Sequence, residues 1–347
     1  MIIIIKPSKL KKGDTVAIVS LSSGLAGEAE ILWRTNQGIQ RLENEFGLNV
    51  KVMPHALKGL AYVREHPECR AEDLNEALKD QEVKAIISCI GGEGARRISP
   101  YVDLKTIAAN PKIFSGYSDT TTIHLMFYKM NVVSFYGQAL LTDFAENVEM
   151  DSYTVENIRK CWFTSNEIGE IKTANYIRPY GLEWDIKNKA ISRPILKQKG
   201  LEVLNGNQKV SGKLVGGNLE TFVDLMSTSF FPDLENFNNA ILFLETSEDT
   251  PTPKVFSAYL EQLLKKGILE RINGMLFGKP FNNIYYESYK KEILEIISKC
   301  NNPKMTVFYN LSFGHNEPKH MIPYGLTAEI NALTGQFSIN DSGVQSN

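Results

Sequence analysis

Apolar and polar positions along this chain fall into blocks of two kinds, short continuous apolar runs and longer stretches with helical spacing. Gly13-Asp14-Thr15-Val16-Ala17-Ile18-Val19-Ser20 is β-branched and apolar, with mostly small residues from Ser20 to Gly27, the pattern of a strand buried on both faces. From about Glu28 to Phe46 the pattern turns helical, Asn49 to Met53 returns to strand, and Glu68 to Lys79 offers a second helix. Val83 to Ile90 is a strand that runs straight into Gly91-Gly92-Glu93-Gly94-Ala95-Arg96-Arg97. Lys112 to Ser115 and Val132 to Tyr136 bracket a helix that opens near Ser118. Strands alternating with helices predict an α/β fold built on a parallel, helix-covered sheet. Ligands in such sheets bind at the carboxyl ends of the strands, which would gather Ser20 to Ser23, Gly91 to Gly94 and Ser118.

The alternation fails from roughly Asn166 to Gln208, where Pro179, Gly181, Trp184 and Pro194 interrupt polar text. Long irregular loops inside compact chains are often functional, so this stretch is expected to be a connector lying near the active site. A second α/β unit follows. Val210 to Leu219 opens it, and Asn239 to Glu245 is a strand that ends on a carboxylate. Lys254 to Lys266 and Ser288 to Lys299 are helices, Gly274 to Gly278 a short strand, and Thr306 to Leu311 a strand leading into Ser312-Phe313-Gly314-His315. Thr327 to Ile330 and Gln336 to Ile339 predict a terminal hairpin. The expected division is a nucleophile-bearing domain over 1–165, a connector over 166–208 and a domain over 209–347 carrying an acid and a histidine.

Bulk properties remove several function classes. At 347 residues the chain exceeds what one hydrophobic core usually fills. Its net charge of -2 gives no global attraction to nucleic acid or to anionic membranes, so neither is an expected partner. The opening Met1-Ile2-Ile3-Ile4-Ile5 run is too short for a signal-peptide core or a membrane span. Cys69, Cys89, Cys161 and Cys300 are far apart and include no C-x-x-C pair, which reads as buried reduced thiols in a cytoplasmic protein.

Ser118 sits just past Gly116-Tyr117, at a strand-turn-helix corner where a nucleophile would stand. Ser118, Asp119 and Thr120 would also serve as helix caps, and local pattern alone leaves both roles open. A nucleophilic serine needs a base, and the base an orienting group. Of the five histidines, His55 and His66 lie in polar text and read as surface residues. His124 falls inside the apolar helix on another face, a packed structural position. His320 lies among Glu317, Pro318 and Lys319 in a polar loop, whereas His315 follows a strand and a glycine and is the better base, the alternative being an ordinary loop residue. Glu245 ends an apolar strand and is the candidate orienting acid, or else a strand-end carboxylate bonded to the next turn; Glu248 and Asp249 are expected to face water. The N–H of Asp119 and of Gly91 or Gly92 could form an oxyanion hole. Gly92 to Arg97 does not make a dinucleotide loop, since Arg97 stands where a third glycine is needed, and no phosphate-binding P-loop is present, so no cofactor is expected.

Taken together, Gly13-Asp14-Thr15-Val16-Ala17, Ile90-Gly91-Gly92, Gly116-Tyr117-Ser118-Asp119, Gly216-Gly217-Asn218-Leu219, Leu244-Glu245 and Gly314-His315 with Pro323-Tyr324-Gly325 resemble the LD-carboxypeptidase family of serine peptidases, which includes the microcin C immunity proteins. The resemblance covers nearly the whole chain. It implies a Ser118-Glu245-His315 triad, an oxyanion hole near Gly92 and Asp119, and no metal. It also implies a Rossmann-like or flavodoxin-like N-terminal domain with a smaller C-terminal α/β domain, a homodimer and a cytoplasmic location. The insert with Glu183-Trp184-Asp185 is closer to the microcin-immunity branch, in which an aromatic residue of the insert stacks on a nucleoside, a role Trp184 matches loosely. The expected activity is hydrolysis of an amide in a small peptide or a peptidyl or aminoacyl nucleotide. Gly91, Trp184 and Arg96 are expected to contact substrate, Arg96 or Arg97 through a free carboxylate. The alternatives are release of a terminal D-alanine from murein tetrapeptides and a non-catalytic ligand-binding protein.

Overall fold

The computed structural model describes residues 4–346; Ile4 and Ile5 of the opening apolar run fall within it, and the rest of that run lies outside the described residues. Strands β1 (Thr15–Val19), β2 (Asn49–Val52), β3 (Val83–Ser88), β4 (Ile113–Gly116) and β5 (Phe135–Tyr136) pair in parallel in the order β5-β4-β3-β1-β2. Helices Leu32–Phe46, Pro67–Lys79, Leu104–Ala109 and Thr121–Lys129 connect them, so the central strands are apolar on both faces and fully enclosed, while the edge strand β2 is largely exposed. This is the flavodoxin-like order. It reverses between β1 and β3, so the loops after these two strands open a crevice at their carboxyl ends.

The connector is more ordered than its sequence suggests. It supplies β6 (Gly169–Glu170), a two-stranded antiparallel pair of β7 (Tyr176–Ile177) and β8 (Leu196–Lys197), and β9 (Glu202–Asn205). Two-residue strands carry no readable periodicity, which is why the stretch looks irregular. The second sheet adds β10 (Lys209–Asn218), β11 (Ile241–Glu245), β12 (Gly274–Gly278) and β13 (Thr306–Leu311) as a parallel centre. After the short β14 (Ile322–Pro323) come β15 (Thr327–Asn331) and β16 (Gln336–Ile339), the antiparallel terminal hairpin. The full order is β6-β16-β15-β10-β11-β12-β13-β9, eight strands against six in the first sheet. The sixth strand of the first sheet is β14, which leaves the second unit and pairs antiparallel with β5.

A buried charge network lies where connector and domains meet. The Arg193 guanidinium contacts the carboxylates of Glu146 and Glu317, and Lys319 Nζ lies 3.2 Å from Glu317 and 3.3 Å from Asp143. Such burial is tolerable only because the charges are paired. The loop around His320 is therefore not a solvated one: Glu317, Lys319 and His320 are all buried, and burial lowers His320 to a pKa of about 3. Cys89, Cys161 and Cys300 are buried free thiols as expected, but Cys69 is only partly buried. Among the described residues no helix is long and apolar enough to cross a membrane.

Candidate active site

The serine corner is built by close approach. Past Gly116 the chain is extended at Tyr117, and Ser118 takes φ +64°, a left-handed conformation that costs a side-chain-bearing residue about 1–3 kcal/mol. Surrounding bonds hold it there. The Ser118 N–H donates to Tyr136 Oη at 3.0 Å, and Thr121 Oγ1 donates to the Ser118 carbonyl at 2.7 Å. The Asp119 carboxylate accepts the Ser22 hydroxyl and the Ala95 N–H, tying the corner to the loops after β1 and β3. The Ser118 hydroxyl makes no helix-capping bond.

That hydroxyl faces the second unit. His315 Nε2 lies 3.0 Å from Ser118 Oγ, and His315 Nδ1 lies 2.6 Å from Glu245 Oε2, which also accepts the His315 backbone N–H at 3.2 Å. Glu245 ends β11 and is buried; its other oxygen accepts Tyr136 Oη at 2.5 Å. Gly314 has φ +89° and permits this approach, since a Cβ there would stand 2.5 Å from Glu245 Oε2. Burial alone would lower His315, but the charge and hydrogen bond of Glu245 and a bond from Glu248 outweigh it and hold the imidazole well above its ordinary 6.5. Burial likewise opposes ionisation of Glu245, and His315 overcomes it, leaving the carboxyl below its usual range.

Glu248 faces solvent as expected, but its Oε2 also lies 3.0 Å from His315 Nε2, and that contact lowers its pKa to about 2. Two lobes of a cleft meet at Gly92, Ser118 and Glu248. One, of about 380 Å³, is walled by Tyr117, Tyr180, Trp184 and Phe281; the other, of about 650 Å³, is acidic, with Glu93, Glu220, Asp224 and Asp249. Gly91 lines the first lobe against the serine, where a Cβ would stand 2.6 Å from Ser118 Cβ. Gly92 lines both lobes and Asp119 the second, each beside Ser118.

Trp184 stacks over the guanidinium of buried Arg34, 4.4 Å from the ring centre. Arg96 lies outside both linings, paired with Asp224 at 3.0 Å on the surface, and Arg97 donates to the Arg64 carbonyl. Among the described residues that line the two lobes there is no arginine or lysine. His124 is buried with both ring nitrogens bonded, to Ser134 Oγ and the Gly116 carbonyl, a structural residue as expected. Two groups of side chains could converge on a metal ion, His55 with Cys69 and Glu72, and His66 with Glu68 and Cys69; neither lines the cleft. The contacts of Tyr136 with Glu245, of Glu248 with His315 and of Arg34 with Trp184 escaped the sequence, because each joins residues far apart along the chain.

Residues 16–137 match the LD-carboxypeptidase N-terminal domain and residues 211–330 the LD-carboxypeptidase C-terminal domain. A solved MccF-like protein from Streptococcus pneumoniae, in complex with AMP, superposes with a TM-score of 0.88 at 34% identity, over 95% of this chain and 99% of that one. The microcin C7 self-immunity protein MccF of Escherichia coli is 28% identical over 280 residues, 78% of each chain. A probable murein peptide carboxypeptidase of Bacillus subtilis is 27% identical over 345 residues, 98% of this chain and 95% of its own.

Proposed function

The chain belongs to the LD-carboxypeptidase family, and on that premise we propose that it is a serine hydrolase with Ser118 as nucleophile, His315 as general base and Glu245 as the acid that orients it. What carries the proposal is the unbroken series of contacts from Ser118 Oγ to His315 Nε2 at 3.0 Å and from His315 Nδ1 to Glu245 Oε2 at 2.6 Å. Glu245 accepts the Nδ1 proton and so turns the Nε2 lone pair towards the serine. Ser118 Oγ attacks the substrate carbonyl as its proton passes to Nε2. The N–H groups of Gly92 and Asp119 receive the developing oxyanion, and Nε2 then protonates the departing amine. Water repeats the sequence and releases the acid.

Our first reading of the substrate is a peptidyl or aminoacyl nucleotide, with the nucleoside in the aromatic lobe against Trp184 and Tyr180. The AMP complex of the Streptococcus pneumoniae relative and the likeness to the Escherichia coli immunity protein support it. Release of D-alanine from murein tetrapeptides, favoured by the Bacillus subtilis relative, comes second because no arginine or lysine among the described residues lines either lobe to hold a free carboxylate. A homodimer and a cytoplasmic setting belong to the same proposal. Incubating the protein with both substrates and identifying products by mass spectrometry separates the readings. Ser118→Ala should lower the rate by about 10³-fold or more; hydrolysis that survives it excludes the triad, and ligand binding without hydrolysis by either protein favours the non-catalytic alternative.

A further inference from the structure

We propose that Glu248 is a positioning residue that latches His315 in the resting enzyme, holding the one nitrogen that must accept the Ser118 proton, and that it has to swing away before turnover. The inference rests on the proposed role of His315 as base.

His315 Nε2 is hydrogen-bonded to Ser118 Oγ, and a carboxylate, which can only accept hydrogen bonds, favours the protonated state of a ring nitrogen that it approaches closely. His315 Nδ1 faces Glu245 at 2.6 Å and Nε2 faces Glu248 at 3.0 Å. Two carboxylates, one at each ring nitrogen, favour the imidazolium, which cannot take a proton from Ser118 although Oγ stands 3.0 Å away. The surroundings favour this charged state. Glu245 from β11 and Glu248 from the loop after it face the ring, Tyr117 from the serine corner meets it edge-on at 4.9 Å, and Lys319 stands over the Tyr117 ring, 3.7 Å from its centre. The titration directions agree, His315 raised and Glu248 lowered.

The latch is also placed to be opened. Glu248 is 59% exposed and lines both lobes beside Ser118, so a carbonyl group docked against the serine competes for its position. Withdrawal into the second lobe is opposed by Glu220 and Asp249, which keeps the carboxylate on His315 until substrate arrives. When Glu248 leaves, the Nε2 proton passes through its carboxylate to bulk water, and the neutral imidazole left behind is the competent base.

Nitrogen NMR of histidine-labelled, full-length protein without substrate tests the latch directly. In Glu248→Gln the titration of His315 should fall by about one pH unit or more, a tenfold loss of proton affinity, and Glu248→Asp should restore part of the shift. The acidic limb of kcat/KM should move down with it, raising activity several-fold at the foot of the limb. An unchanged His315 titration in Glu248→Gln overturns the proposal, and so does loss of activity at every pH, which would make Glu248 part of the chemistry. Because the titration is read without turnover, it stands whether or not a hydrolysed substrate is found.

Discussion

Tyr136 Oη donates to Glu245 Oε1 at 2.5 Å and accepts the N–H of Ser118 at 3.0 Å, so a single hydroxyl joins the Ser118 backbone to the Glu245 carboxylate across the boundary between the sheets. Burial and the adjacent Glu245 charge push the phenol well above its ordinary value, which keeps it a donor. Tyr136→Phe leaves a buried N–H and a buried carboxylate oxygen short of a partner, at a cost of about 1–3 kcal/mol. We expect a lower melting temperature and a fall in kcat/KM of roughly tenfold or more. An unchanged kcat/KM would show that the hydroxyl holds neither group in place.

Gly91→Ala should separate catalysis from folding. Gly91 has no left-handed backbone to protect, but a Cβ there would lie 2.6 Å from Ser118 Cβ and 2.9 Å from its Oγ. Displacing Ser118, the proposed nucleophile, by a fraction of an ångström to an ångström costs up to about 100-fold in rate. A fall of that order in kcat, with circular dichroism unaltered, is the expected result.

The Glu245–His315 pair also makes stability depend on pH. His315 is raised above its unfolded value of 6.5, so its contribution is fully present below 6.5 and is lost as pH rises through the folded value. Glu245 is held below its unfolded value of 4.5, so its contribution is present above 4.5 and is lost as pH falls through the folded value. Both act in full between 4.5 and 6.5. Melting curves of the native chain and of His315→Asn should therefore differ most in that window and converge towards alkaline pH.

Trp184→Ala removes the aromatic face that Arg34 backs. Stacking on a base is worth about 1–3 kcal/mol, so KM for a nucleotide-bearing substrate should rise roughly tenfold or more. A murein tetrapeptide should show no such change. Steady-state kinetics on both decides whether the aromatic lobe reads a nucleoside.

Much of this arrangement is written locally. Strands β1 and β3 are largely apolar and buried, broken in β3 by the exposed Lys84, and Ser118, Glu245 and His315 each end a strand or turn with a recognisable signature. What stays hidden is carried by pairing between distant segments. Nothing near Tyr136 announces that its hydroxyl meets Glu245, and Glu248 looks like an ordinary turn carboxylate until His315 arrives from 67 residues downstream. Glu317 and Lys319 read as a solvated loop because the partners that permit their burial, Arg193 and Asp143, come from the connector and the first domain. The two-residue strand β14 is too short to leave a pattern.

That short strand has a mechanical meaning. The segment bearing His315 is fastened at one end to β13 and at the other to the opposite domain, where Ile322 lies in register with Tyr136. The chain is thus sewn shut around its own cleft, and because residues 312 to 321 are all buried, a cut there would free the imidazole from its anchorage and open the packing around it. Halves made separately at the midpoint would each lack a part that only the other can supply.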